Sequence, residues 1–239
     1  MKRGVPLDDG KRELMTGLLA AGLLAVPPRP LRAQRLAPAS GDTLALPAPS
    51  LAGPLPLEQA LQGRRSRRGF RAEPLSLADV AQLLWAAQGR TDDAGHRTAP
   101  SAGALYPLEL ILVAGRVDGL APGVHRYLPD DHALRSVGDG DRRAAVAACT
   151  RGQAWVAEAP ALLVIAAAPR RTRQRYGERA DRFVALEAGG AAQNVYLQAA
   201  ARGWATVLVG AFDEARLGDA IGLDAERAAL GLMPIGRPR

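Results

Sequence analysis

The run Ala161-Leu162-Leu163-Val164-Ile165-Ala166-Ala167-Ala168 contains no polar side chain. Successive strand residues point to opposite faces, so an unbroken apolar run with β-branched members reads as a strand buried on both sides. Such a strand requires a sheet with further elements packed over each face. Thr206 to Gly210 reads as another buried strand, Leu108 to Ala114 as a third, and Leu230 to Ile235 as the last. Val124 to Tyr127 and Ala133 to Val137 read as a hairpin around Pro129-Asp130-Asp131.

Helical spacing separates these strands. Ser76 is a good N-cap with Asp79 in the first turn, and Leu77, Val80, Ala81, Leu83, Leu84 and Ala87 recur on one face before Gly89 closes the element. Short helices are expected over Glu58–Arg64, Asp141–Cys149 and Ala215–Ile221. The longest, Arg182–Gly203, is apolar around much of its surface and so belongs in a core or a subunit interface. The sum is an α+β domain with helices around a central sheet, with neither repeats nor a second domain.

Bulk numbers fit that reading. The chain has 239 residues, 48% hydrophobic and 23% charged, as expected of one globular domain. Aromatics are only 4%, so Leu, Val and Ala must build the core. The single cysteine, Cys149, excludes an intramolecular disulfide and, beside an apolar helical stretch, reads as structural. The formal charge of +7 suggests nucleic acid, but residues 1–39 carry seven basic against three acidic side chains, and the remaining arginines alternate with acids. No zinc-finger spacing or aromatic-rich RNA-binding pattern accompanies them, so no nucleic-acid partner is expected. His96, His125 and His132 lack a ligand pattern, so no metal is expected either.

The first 39 residues read as an address. Lys11-Arg12 precedes the apolar run Thr16 to Val26, then Pro27-Pro28 breaks it. That run is short for a hydrocarbon core of about 30 Å but suits the apolar region of an export signal. It resembles a twin-arginine signal with Lys-Arg for Arg-Arg, cleaved after Ala33 or Ala39, and directs the chain to the periplasm or cell envelope. The alternatives are an uncleaved apolar tail and a cytoplasmic chain. Residues 40–57, rich in Pro, Ala, Gly and Ser, read as a linker, leaving 58–239 as the domain.

Four blocks carry the chemistry. Arg97-Thr98-Ala99-Pro100-Ser101-Ala102-Gly103-Ala104-Leu105-Tyr106-Pro107 lies between a helix and a strand and favours neither. Its prolines fix φ, Gly103 permits an unusual backbone, and Ser101 and Tyr106 supply hydroxyls, so backbone can approach a flat ligand closely. Arg64-Arg65-Ser66-Arg67-Arg68-Gly69-Phe70 offers guanidinium forks that match phosphate oxygens; alone, it reads equally as a solvated basic loop. Val209-Gly210-Ala211-Phe212-Asp213 ends a buried strand, and Pro234 to Pro238 closes the series.

In this order and spacing the blocks resemble the nitroreductase-like flavoproteins, and within them the azoline-oxidase branch of SagB or thiazoline-oxidase type. The resemblance implies a nitroreductase-like α+β fold, with a mainly antiparallel sheet surrounded by helices and FMN at a homodimer interface. It assigns phosphate and ribityl contacts to Arg64, Arg65, Ser66 and Arg68, with Arg237 closing on the phosphate. Pro100, Ser101, Ala102 and Gly103 would lie against the ring from the second subunit, and Gly210 and Ala211 would polarise its reactive edge.

Arg175-Tyr176-Gly177 aligns with a Lys-Tyr-Gly segment that in azoline oxidases assists proton removal. Arginine keeps its proton, so Arg175 can stabilise an anion but cannot be a base; Tyr176 can be acid or base. Both lysines of the chain, Lys2 and Lys11, lie in the export-like segment. Glu187, Gln193 and Asn194 fall on the long helix beside the expected site. The reading is an FMN-dependent oxidoreductase acting on a small molecule or peptide, with no membrane span once processed; the alternative is a non-catalytic flavin- or ligand-binding module of the cell envelope.

Overall fold

The computed structural model describes residues 43–239; the export-like segment therefore lies outside the described residues. In chain order the elements are β1 (Thr43–Ala45), α1 (Leu57–Gly63), β2 (Leu75–Ser76), α2 (Leu77–Gln88), β3 (Leu108–Ala114), β4 (Val117–Asp118), β5 (Gly123–Leu128) and β6 (Ala133–Asp139). They continue with α3 (Arg143–Ala147), β7 (Ala161–Ala167), α4 (Arg170–Tyr176), α5 (Ala180–Ala201), β8 (Ala205–Thr206), α6 (Glu214–Ile221) and β9 (Ala228–Gly236).

Seven strands form one sheet in the order β1-β6-β5-β3-β7-β9-β8, with every neighbouring pair antiparallel. All seven residues of β7 are buried. Leu163 and Ile165 enter the core under α2 and α5, whereas Leu162 and Val164 enter the core under α3 and α6. The alternation of one strand thus fixes the layering: helices, sheet, helices.

Local chemistry sets the helix ends. Ser76 Oγ accepts from Asp79 N–H while Asp79 accepts from Ser76 N–H, a reciprocal cap worth about 1 kcal/mol. Gly89 ends α2 in an extended conformation rather than a left-handed one. Glycine is needed there because an added Cβ would fall on the Trp85 ring.

Three expectations change. Thr43–Ala45 pairs with Ala133–Arg135, and Leu46 is buried, so part of the stretch read as a linker is an edge of the sheet. The strand expected over Thr206–Gly210 pairs as β8 and then only at Val209, because Leu208 N–H donates to the Tyr196 hydroxyl instead of a ladder carbonyl. The helix expected from Asp141 is shorter, because Asp141 accepts from Arg143 N–H and from its guanidinium before α3 begins.

Candidate functional site

The arginine run leaves the end of α1 and crosses beside α5. Arg64 stacks on the Tyr196 ring at 5.0 Å, and Ser66 Oγ lies 3.2 Å from the Tyr196 hydroxyl. Arg65 turns back, donating to the Gln62 and Arg64 carbonyls, while Arg67 N–H donates to Thr206 O and fixes the run against β8. Among the described residues none of Arg64, Arg65, Arg67 and Arg68 has a carboxylate within 4.0 Å. The run is thus a cluster of four guanidinium groups without a carboxylate, of which Arg65 is partly engaged by backbone carbonyls.

A cavity of about 180 Å³ opens beside it, lined by Arg65, Arg67, Tyr196, Trp204, Thr206 and Pro238. Trp204 Nε1 and Thr206 Oγ1 are buried there without a protein hydrogen-bond partner. A buried donor left unpaired costs roughly 1–3 kcal/mol, which an anionic ligand can recover. The chain terminus borders the same region: Phe70 pairs with Pro238, Arg237 stacks on Trp204 at 5.9 Å, and its guanidinium lies 3.5 Å from Asp79.

Gly210 and Ala211 are exposed beyond β8. Their carbonyls are taken, Gly210 O by Phe212 N–H and Ala211 O by Arg151 N–H and Gln153 Nε2. Among the described residues the two N–H groups have no partner. This pair can stabilise negative charge on a ligand edge and cannot accept a proton from it.

The loop Pro100–Pro107 is held from four directions. Ala102 N–H donates to Glu187 Oε1 at 2.9 Å, Tyr106 N–H to Ser101 Oγ at 2.9 Å, and Arg171 to Tyr106 O at 3.0 Å. Arg97 covers the Tyr106 ring at 4.5 Å. Gly103, Ala104 and Tyr106 all have left-handed φ, at 64°, 54° and 45°. Non-glycine residues in that region cost of order 1 kcal/mol or more each, so the loop's shape is imposed by its contacts. Glu187 is buried, and burial pushes its carboxyl above the usual range, partly offset by bonds from Ala102 N–H and the Ser101 hydroxyl.

Arg175 and Tyr176 converge on this loop. Where a Cβ would stand at Gly103, Arg175 Nη1 is 2.9 Å away and the Tyr176 hydroxyl 3.0 Å. Tyr176 is pinned edge-on against Phe183 at 4.8 Å. The short helix α4 that carries them is anchored by Arg171, which bonds the buried Glu109 on β3 at 2.8 Å.

The expected residues thus fall into two groups along α5. Tyr196 holds the arginine run and Glu187 holds the Pro100–Pro107 loop. Nine residues separate them, which is roughly 13 Å along the axis and about half a turn around it. Neither Tyr196 nor Leu208 was singled out by sequence; a lone tyrosine on an apolar helix was the only available signal. Asn194 Nδ2 donates to Thr98 O, so it steadies the loop's entry, while Gln193 is exposed. Cys149 is buried with its thiol donating to Ala145 O, and burial raises its pKa. The histidines make local bonds, His96 to Asp92, His125 to Ala121 O, and His132 to Tyr127 and Pro47 O. Among the described residues no helix is long and apolar enough to cross a membrane.

Residues 61–237 match the sequence profile of the nitroreductase family. A Methanocaldococcus jannaschii protein provisionally named a nitroreductase is 39% identical over 197 residues, 82% of this chain and 98% of that protein. A Ralstonia eutropha crystal structure, also provisionally named a nitroreductase, superposes with a TM-score of 0.72 at 29% identity, covering 87% of this chain and 91% of that one. The NADPH:FMN oxidoreductase of Vibrio harveyi, solved with NAD+, superposes at 0.56 with 20% identity, covering 76% and 68%; that likeness concerns the fold alone.

Proposed function

The chain belongs to the nitroreductase family of flavin-dependent oxidoreductases, and from that premise we propose that it binds FMN and works as a homodimer. The carrying observation is a cluster of four arginines without carboxylates, beside a cavity whose lining residues include Trp204 and Thr206, with Nε1 and Oγ1 unpartnered among the described residues. A phosphate dianion fits that set, because guanidinium forks and neutral N–H and O–H groups all donate. Arg64, Ser66 and Arg68 would hold phosphate and ribityl oxygens, Arg65 would support them from the cavity side, and Arg237 would close over them. When bound, flavin supplies hydride transfer at N5.

The chain's own groups do the rest. The free N–H groups of Gly210 and Ala211 favour negative charge on the ring edge without reorganising. The Tyr176 hydroxyl can donate or accept a hydrogen bond, and the Arg175 guanidinium binds charge beside it. The ordered blocks favour the azoline-oxidase branch, but with arginine in the lysine position the proton must move through Tyr176.

Dimerisation is supported by geometry. The loop and the arginine run sit on opposite faces of α5, so one bound flavin meets both when a second copy contributes its loop. Leu57, Leu61 and Leu186 are exposed on α1 and α5, an apolar surface suited to burial. Export through residues 1–39 belongs to the same proposal, and cell fractionation tests it: full-length protein confined to the cytosol refutes it.

An absorbance spectrum of protein lacking residues 1–39, before and after anaerobic dithionite, tests the whole reading. Flavin bands that bleach and return with air support it. Colourless protein that takes up no added FMN refutes it. Flavin that bleaches but passes electrons to no acceptor leaves a non-catalytic binding module.

A further inference from the structure

We propose that the site receives a substrate bearing a negative group, a carboxylate or a phosphate, and that Arg175 with the Tyr176 hydroxyl binds it; the inference rests on the flavin reading above. Six arginines lie between Arg170 and Arg182. Three are engaged: Arg170 with Glu226, Arg171 with Glu109 and Arg173 with Asp181. Arg175, Arg179 and Arg182 have no carboxylate within 4.0 Å among the described residues. Half of these arginines therefore hold α4 in place, and the other half carry charge that no carboxylate in the described residues answers.

Arg175 differs from its engaged neighbours. Its guanidinium makes no hydrogen bond to another described residue and lies 5.7 Å from the centre of the Tyr176 ring. Arginines that organise this structure behave otherwise: Arg143 bonds Asp141 and Ala159 O, and Arg227 bonds Glu109. Arg175 Nη1 and the Tyr176 hydroxyl lie 2.9 Å and 3.0 Å from where a Gly103 Cβ would stand, so a guanidinium without a carboxylate and a phenol donor sit side by side against the Gly103 backbone.

The loop lets both donors approach this closely. Gly103 has no side chain, and its left-handed φ of 64° is one that other residues adopt at a cost. Tyr176 cannot swing freely because Phe183 holds its ring. Planar oxyanions accept two parallel N–H donors from a guanidinium, and a neutral substrate has no use for its charge.

The test compares matched nitroaromatics as acceptors. Holoenzyme is reduced anaerobically with dithionite, so that no nicotinamide phosphate competes, and mixed with 4-nitrobenzoate, 4-nitrophenyl phosphate or 4-nitrobenzyl alcohol. Flavin reoxidation is followed against acceptor concentration. At least one anion should half-saturate at a concentration about tenfold below the neutral alcohol, as charge-assisted bonds would give. The tighter anion names the group. Arg175→Gln should remove that ratio, Arg175→Lys should restore part of it, and 0.5 M salt should shrink it. Calorimetric titration with benzoate, phenyl phosphate and benzyl alcohol gives the same comparison without turnover. Equal half-saturation by all three acceptors, or an Arg175→Gln variant that keeps the ratio, overturns the proposal while leaving the flavin reading intact. Failure of every acceptor to reoxidise the flavin, with neither benzoate nor phenyl phosphate binding more tightly than benzyl alcohol by calorimetry, overturns the proposal and leaves a flavin-binding module without turnover.

Discussion

Gly103→Ala measures how tightly Arg175 and Tyr176 are pressed against the loop. Two costs add. Alanine at φ 64° is strained by about 1 kcal/mol. The new Cβ also meets Arg175 Nη1 at 2.9 Å and the Tyr176 hydroxyl at 3.0 Å, and Phe183 prevents the tyrosine ring from simply turning away. Crowding of this kind costs about another 1 kcal/mol where a side chain can partly yield. The sum, about 2 kcal/mol, corresponds to a melting temperature lower by roughly 4–8 °C for a domain of this size. Gly95→Ala is the control: its φ is 85° and nothing lies within 4 Å, so strain alone should lower melting by about 2–4 °C.

The assay is thermal unfolding at one protein and one FMN concentration, since bound ligand raises apparent stability. Pairing Gly103→Ala with Arg175→Ala completes a cycle, and removing the guanidinium should return part of the crowding cost. If Gly103→Ala melts no lower than Gly95→Ala, and the cycle shows no coupling, the convergence of Arg175 and Tyr176 on Gly103 is wrong.

Three further outcomes follow from particular residues. Burial raises the Glu187 carboxyl above its unfolded value, so the folded state binds more protons and stability falls as pH rises through that interval. Glu187→Gln, which still accepts from Ala102 N–H, should therefore gain on the wild type between pH 5 and pH 8 in urea unfolding; a widening deficit contradicts this. Gly115→Ala should cost about 3 kcal/mol, because its Cβ falls on the Arg143 guanidinium, itself locked by Asp141 and Ala159 O; an unchanged urea midpoint refutes that packing. Leu186→Glu places a charge on the exposed face of α5 and should convert the proposed dimer to monomer in sedimentation; a wild type that is already monomeric removes the proposal.

Much of the fold was legible because it is written in local pattern. The unbroken apolar run of β7, the capping residues of α2 and the length of α5 each announce their element without help from the rest of the chain. What escaped depends on distant partners. Thr43–Ala45 is a strand only because β6, ninety residues later, offers an open edge. The helix α4 has one buried residue, Thr172, and no apolar stripe, so periodicity could not reveal it; ion pairs to Glu109, Asp181 and Glu226 hold it. Sequence could name candidate site residues, but not which of their groups are already bonded. The carbonyl of Ala211 is consumed by Arg151 and Gln153, which arrive from a loop some sixty residues earlier.

The loop shows where this fold spends stability on geometry. Ala104 and Tyr106 are held left-handed although neither side chain is needed for the core, and Ala104 is exposed. A chain free to relax would trade those angles for ordinary ones at a gain of about 1 kcal/mol each. It is prevented by groups that are themselves costly to place: a buried carboxylate without a cationic partner, Glu187, and Arg171, which reaches the loop while bonded to the buried Glu109. Strain held by buried charge is hard to explain as packing, because an apolar loop of the same length would be more stable. It is explained if the loop must keep its left-handed turn at Gly103 and Ala104 in place for a ligand while Arg175 and Tyr176 stand beside it. The strain, the free guanidinium and the free amides of Gly210 and Ala211 are then three marks of one requirement, a binding surface organised before the ligand arrives.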